Sequence, residues 1–324
     1  MKKLFLLLSV LISTTTISYA WEPTKPVTAV IGNTPGSGGE VAFRMLSQIV
    51  QKNNPKVNFV VQNMPGAGGV ISLNHFMNVS NDGTYVALPA HMDIFVTHDI
   101  WYKKSKRYDY NTFTNVLTMG KSPLVLVANT KSKVNTPEEF MIAIANTKEK
   151  LTVAIGSGAH RTAYEYLAER ANANKELFKF IDYSGPAQAM MSVAQNENEF
   201  GIMPIAIAQP QIEAGLIKAI GITGNTKMPQ LPTTRFLNDV APGIDVYAAW
   251  ALVLPPKTSS EIVIWYQREF SKAASSQEYL DWCSKNVVFV DINELTPEGL
   301  NKTVETLRKN FIPVLINIKE GENQ

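Results

Sequence analysis

Three times in its first 160 residues the chain runs from a short apolar segment through a glycine-rich loop into an amphipathic stretch. Val27–Gly32 leads into Asn33-Thr34-Pro35-Gly36-Ser37-Gly38-Gly39. Asn58–Asn63 leads into Pro65-Gly66-Ala67-Gly68-Gly69, and Leu151–Ile155 into Gly156-Ser157-Gly158. Short apolar runs alternating with helical periodicity are the signature of parallel α/β units. In such sheets the strand-to-helix loops are where ligands collect. After the first loop, Val41, Ala42, Met45, Leu46, Ile49 and Val50 share one helical face, and Arg44, Ser47, Gln48 and Gln51 the other.

The same reading predicts strands at Thr84–Leu88, Phe178–Tyr183, Phe200–Ile205, Leu216–Thr223 and Val287–Val290. Helices are predicted at Ile207–Ala214, Ser259–Ala274, Gln277–Asn286 and Pro297–Ile318, and one more opens at the capping box Thr136-Pro137-Glu138-Glu139. Met190 and Met191 are read as helix core, and Met228–Pro232 as a loop. Two longer apolar segments, Val116–Ala128 and Val246–Leu254, suit strands that cross between two α/β lobes and hinge a cleft between them. A chain of 324 residues is long for one core and fits two.

Charge removes several functions. The chain has 30 Lys and Arg against 28 Asp and Glu, and Lys2 and Lys3 account for the excess. They begin a segment with an apolar run from Leu4 to Ile12 and Ser18-Tyr19-Ala20 before Trp21, which reads as a secretory signal peptide over residues 1–20 cleaved after Ala20. The remainder is neutral, without the basic footprint of a nucleic-acid binder. No later run is long and apolar enough to span a membrane. The single cysteine, Cys283, excludes an internal disulfide and reads as a buried apolar side chain. An exported chain of this kind belongs in a bacterial periplasm.

The glycine loops carry the chemistry. Helix N-termini offer unpaired N–H groups and a partial positive charge, and glycine lets a ligand approach the backbone closely. The first and third loops, facing each other, would clamp a carboxylate through amides alone; as plain turns, they would do nothing. Catalytic patterns fail. The first loop lacks the Lys of a P-loop and the last glycine of a dinucleotide fingerprint. Pro35 and Ile155 occupy the positions where G-x-S-x-G needs glycine. His75, His91, His98 and His160 form no H-x-x-x-H pair, so no zinc site is expected. His91, after a strand, and His160, starting a helix, are both placed to face the cleft; His91 with Asp93 is too little for an acid–base pair. Lys103–Arg107, beside Trp101, Tyr102 and Tyr108, reads as a solvated basic loop.

In order along the chain, the motifs resemble those of solute-binding receptors of the tripartite tricarboxylate transporter family, also called the Bug family. The likeness runs through Pro35–Glu40 with Arg44, the N-x-P-G-A-G-G segment Asn63–Gly69, and the turn Asn81-Asp82-Gly83-Thr84-Tyr85. It continues through Tyr183-Ser184-Gly185-Pro186-Ala187, Pro210–Gly215, Leu231-Pro232-Thr233, Pro242-Gly243, and Trp250 with Pro255-Pro256. The resemblance implies an α/β type II periplasmic binding fold: lobe 1 of residues 21–122 with 248–324, and lobe 2 of residues 123–247. It implies a receptor, not an enzyme, that captures a small carboxylate by domain closure and delivers it to membrane permease subunits. No cofactor or metal is implied, and a monomer is expected. A sensory protein presenting its solute to a signalling partner is the alternative.

Carried over residue by residue, the contacts fall on Thr34, Gly36, Ser37, Gly38 and Gly39 in the first loop and Gly156, Ser157, Gly158 and Ala159 in the later one. Gly66, Ala67, Gly68, His91 and Tyr183 lie beside them. Departures from the family pattern are Glu40 in place of Asp, a shortened later loop with His160 and Arg161, and Met203 or Pro204 where an Asp is common. Arg161 would add an anion-binding group and Met203 a less polar wall.

Overall fold

The computed structural model describes residues 21–224 and 227–322; the expected leader, residues 1–20, lies outside the described residues. The chain begins with β1 (Val27–Ile31), α1 (Gly38–Asn53), β2 (Phe59–Asn63), α2 (Val70–Phe76) and β3 (Tyr85–Ala87). A π-turn, Asp93–Thr97, runs into α3 (His98–Trp101), and β4 (Thr114–Asn129) follows. Then come α4 (Pro137–Asn146), β5 (Leu151–Ile155), α5 (Gly158–Arg170), β6 (Phe178–Asp182), α6 (Pro186–Ala194), β7 (Phe200–Pro204), α7 (Ile205–Glu213) and β8 (Ile217–Ile222). β9 (Tyr247–Leu254), α8 (Ser260–Ala274), α9 (Gln277–Lys285) and α10 (Pro297–Glu322) complete it.

β4 belongs to two sheets. Its first half pairs antiparallel with β9, from Thr114 opposite Leu254 to Pro123 opposite Tyr247. From Leu124 onward it pairs with β7 on one side, and from Val125 with β8 on the other. One sheet therefore reads β2-β1-β3-β9-β4, the other β8-β4-β7-β5-β6. β1 is flanked by parallel β2 and β3, and β5 by parallel β6 and β7. Buried aromatic and branched side chains fill each side: Phe43 stacks on Phe270 at 5.8 Å beneath the first sheet. Phe140 meets Phe200 edge-on at 5.1 Å beneath the second. α10 lies behind the crossover, against β4, the π-turn and α5, with Phe311 edge-on to Tyr166 at 5.7 Å. Among the described residues no helix is long and apolar enough to cross a membrane.

The crossover is pinned by charge. Lys121 in β4 is 12% exposed and pairs with Asp291 at 3.4 Å and with the buried Glu294. Lys121→Met should cost about 3 kcal/mol, because it strands the Glu294 carboxylate in the interior. An unfolding free energy from urea titration lower than the wild type's by that amount checks it.

Several expectations change in detail. Val287–Val290 is not a strand but makes one bridge, Phe289 opposite Lys121, because Val287 takes a positive φ of 53° that ends the extended run. Val41 is not core; it is exposed on α1 and lines the cleft. Of the adjoining methionines Met190 is buried and Met191 exposed. Lys106, read as part of a solvated run, is tucked in and pairs with Asp99 at 2.9 Å and Asp109 at 3.2 Å. Residues 93–101, to which periodicity assigned no element, form the π-turn and α3. Cys283 is buried, as expected, and burial pushes its thiol up to about 12. Of the expected capping box the N-cap half forms, Thr136 Oγ1 accepting from the Glu139 amide at 3.2 Å, while Glu139 Oε2 accepts from the Asn135 amide at 2.7 Å.

Candidate functional site

The loops after β1, β2 and β5 converge between the two sheets and enclose two chambers. One, of about 610 Å³, is walled by the loops after β1 and β2, the start of α5, Trp101, Tyr102, Asp182 and Tyr183. The other, of about 370 Å³, is walled by Thr34–Gly38, Ala159, His160, Pro186, Tyr247, Trp250 and Trp282. Asn33, Thr34, Asp93, Gly156, Ser157 and Ser184 line both, so they form the waist between them.

α5 opens at this waist and α1 on the smaller chamber beside it, each behind a serine in extended conformation whose hydroxyl does not cap its helix. The first N–H groups of each helix therefore lack a side-chain acceptor from that serine. Among the described residues Ser37 Oγ is buried without a hydrogen-bond partner. In the first loop Gly36 has a φ of 82°, a conformation that favours glycine, and its N–H donates to Glu40 Oε2 at 3.2 Å. Glu40 turns back on its own loop and also takes Arg44 at 2.7 Å and Asn63 at 2.9 Å. Burial opposes its charge, but the bonds from Asn63 and Arg44 prevail and hold the carboxyl below its usual range. Gly38 and Gly39 lie under the Trp250 indole, where a Cβ would fall 2.5 and 2.7 Å from ring carbons.

In the later loop the Gly156 N–H donates to His160 Nδ1 at 3.2 Å. The Gly158 N–H donates to the carboxyl of Asp93, which projects from the π-turn across the waist. A Cβ on Gly158 would overlap Asp93 and Thr97. Asp93 is half-buried; desolvation raises its carboxyl to about 7 against the bonds from Gly158 and Thr97. The loop after β2 is held by His98, whose Nε2 lies 2.9 Å from the Gly68 carbonyl while Tyr108 Oη lies 2.7 Å from its Nδ1. Donation of Nε2–H to Gly68 and acceptance at Nδ1 from Tyr108 satisfy both contacts with a neutral ring. Arg161 on α5 is sandwiched between Trp101 at 4.8 Å and Phe180 at 4.9 Å, with Glu165 at 3.3 Å.

Of the residues proposed from sequence, Thr34, Gly36, Ser37, Gly38, Gly66, Ala67, Gly68, Gly156, Ser157, Gly158, Ala159, His160, Arg161 and Tyr183 line the chambers. Gly39 is buried beneath Trp250 instead. Met203 is buried in the core of the second sheet, its neighbour Pro204 reaching the cleft wall. His91 sits behind the crossover, 3.3 Å from Thr118 Oγ1, and lines a cavity with Lys121 and Glu294 rather than the cleft. Sequence reasoning missed Asp93, Asp182 and Trp282 as wall residues, and took Trp250 only as a motif position.

The three buried histidines set an acid limit. Burial lowers His91 and His160 to about 3 and His98 to about 4. The unfolded chain takes these protons near pH 6.5 and the folded chain does not, so the stability they contribute is present above that pH and lost as pH falls toward 4. Asp93, with its raised value, works in the opposite direction, three groups against one. The melting temperature should therefore drop between pH 7 and pH 5, a shift that scanning calorimetry reads directly.

Comparison with known proteins places this architecture. A UPF0065 protein of Cupriavidus necator is 25% identical over 271 residues, 81% of this chain and 79% of its own length. A second, from Pseudomonas sp. strain P51, is 25% identical over 265 residues, 80% and 76% of the two chains. The periplasmic binding protein BugD superposes with a TM-score of 0.78 at 21% identity, covering 93% of this chain and 98% of its own. MatC of Rhodopseudomonas palustris, solved with malate, gives 0.80 at 19% identity, covering 91% and 100%. An R. palustris protein solved with adipate gives 0.80 at 19% identity, covering 90% and 96%. These likenesses establish the two-lobed periplasmic binding fold. The model of the tripartite tricarboxylate transporter family receptors matches residues 43–296, most of the chain. Members are solute-binding proteins, not enzymes. By that match the chain belongs to the tripartite tricarboxylate transporter family of receptors.

Proposed function

We propose that this receptor captures a small carboxylate-bearing solute in the periplasm, closes its lobes on it, and delivers it to the permease subunits of a tripartite tricarboxylate-type transporter. The observation that carries the reading is the pair of helix N-termini facing the cleft, α1 on the smaller chamber and α5 at the waist, neither capped by its own serine, although Asp93 holds the first amide of α5. Two structural neighbours hold the dicarboxylates malate and adipate, which supports the ligand class. The lobes divide at 122/123 and 247/248; the switch of β4 from β9 to β7 between Pro123 and Leu124 supports that hinge. Residues 1–20 serve as the export leader, with cleavage after Ala20. Trp21, packed on Trp265 at 5.8 Å, then begins the folded protein. The mature protein acts as a monomer.

Thermal shift of residues 21–324 against a panel of small carboxylic acids tests the ligand class. At least one acid should raise the melting temperature by several degrees. If none does while another solute class does, the carboxylate reading is wrong. Uptake by proteoliposomes carrying the permease subunits tests delivery; binding without uptake, together with stimulation of a sensor kinase, would favour the signalling alternative.

A further inference from the structure

We infer that Asp93 determines the class of solute: one that carries a cationic nitrogen together with its carboxylate, as a small amino acid does. This deepens the carboxylate reading and rests on it.

The charges around the cleft argue against a plain polyanion. Among the described residues lining the two chambers, the charged side chains are Asp93, Asp182 and Arg161. Arg161 is already engaged, with Glu165 at 3.3 Å and an aromatic ring on each side. Desolvation first, then Asp93 and Asp182, push the Tyr102 phenol up, with Arg161 opposing them, so the two carboxylates bear on one region of the larger chamber. The amides best placed to hold a second ligand carboxylate are taken by the chain itself: Gly36 by Glu40, and Gly158 by Asp93. A dianion entering here meets acidic walls and a cation that already has a partner.

The same walls suit a cation. Tyr102 and Tyr183 line the same chamber as the two carboxylates, and aromatic rings together with carboxylates bind ammonium groups. Asp93 lies at the waist, so an ammonium held by it leaves the solute's carboxylate free to reach the N-terminus of α1. Desolvation makes the Asp93 carboxyl reluctant to ionise alone, and a bound ammonium supplies the partner that restores its charge. The π-turn fixes this placement, since it brings Asp93 up to Gly158, where no side chain fits.

Matched acids with and without nitrogen test the inference by calorimetry on residues 21–324: aspartate against succinate, glutamate against glutarate, 4-aminobutanoate against butanoate, with putrescine as an amine lacking carboxylate. In at least one pair the nitrogen-bearing member should bind ~10-fold tighter or more. Asp93→Asn, which keeps an acceptor for the Gly158 N–H, should reduce that preference to about twofold. Acids without nitrogen binding equally well or better overturn the inference and leave the carboxylate reading standing; so does a preference unchanged in Asp93→Asn. Binding of putrescine alone overturns the carboxylate reading and supports the role of Asp93. Binding of none of these probes overturns both.

Discussion

Gly158→Val should fold but bind solute at least ~100-fold more weakly, about 3 kcal/mol by the affinity arithmetic. The first residue of α5 has no room for a Cβ, because the Asp93 carboxyl and the Thr97 hydroxyl occupy that space. Both are side-chain ends, so the fold can yield by displacing them, at about 1–3 kcal/mol of stability. Displacement pushes Asp93 into the waist, and the valine methyls cover the N-terminus of α5. Gly38→Val attacks the opposite helix, where the added atoms meet the Trp250 ring rather than a flexible terminus. Calorimetric titration with the tightest acid from the panel reads both variants. Affinity unchanged in both would remove the two-helix clamp from the account.

The second large effect is on stability and needs no ligand. Asp93→Asn should be more stable than the wild type by about 2 kcal/mol at pH 8 and equal to it at pH 4. The sign follows from the Asp93 carboxyl being raised to about 7, well above its ordinary value of 3.8. The folded chain holds this proton more tightly than the unfolded chain, so its contribution is complete below about pH 4 and is lost as pH rises through about 7. Asparagine has no proton to lose. Because the histidines are common to both proteins, the difference between their urea midpoints isolates the carboxyl. A difference independent of pH would mean that Asp93 is an ordinary exposed carboxylate.

The parts of the fold legible in sequence are those written in hydrophobic period. β4 and β9 stand out as long apolar runs because each is buried along most of its length; of the two, β4 runs from one sheet into the other, whereas β9 pairs only within the first. The glycine loops are legible because left-handed residues such as Gly36 and close packing beneath Trp250 restrict those positions to glycine. The π-turn was not legible: its geometry has neither a strand's nor a helix's period, and Met92-Asp93-Ile94-Phe95 reads equally as either. Asp93 therefore had no visible place, although it faces Gly158 across the cleft. His91 was misplaced for a related reason, since a residue following a strand end can turn to either side of the sheet and here turns behind the crossover. The engagement of Arg161 was readable, because Glu165 stands four residues on along the same helix.

The central claim is that a small carboxylate-bearing solute is held at the waist by the helix N-terminal loops. Hydrogen–deuterium exchange of residues 21–324, with and without the tightest-binding acid, tests it most directly. The account predicts slowed exchange in residues 33–41, 66–69 and 156–161, and little change around residues 291–311 behind the crossover. Protection confined to that rear segment, or no protection at the glycine loops when the site is saturated, would contradict it.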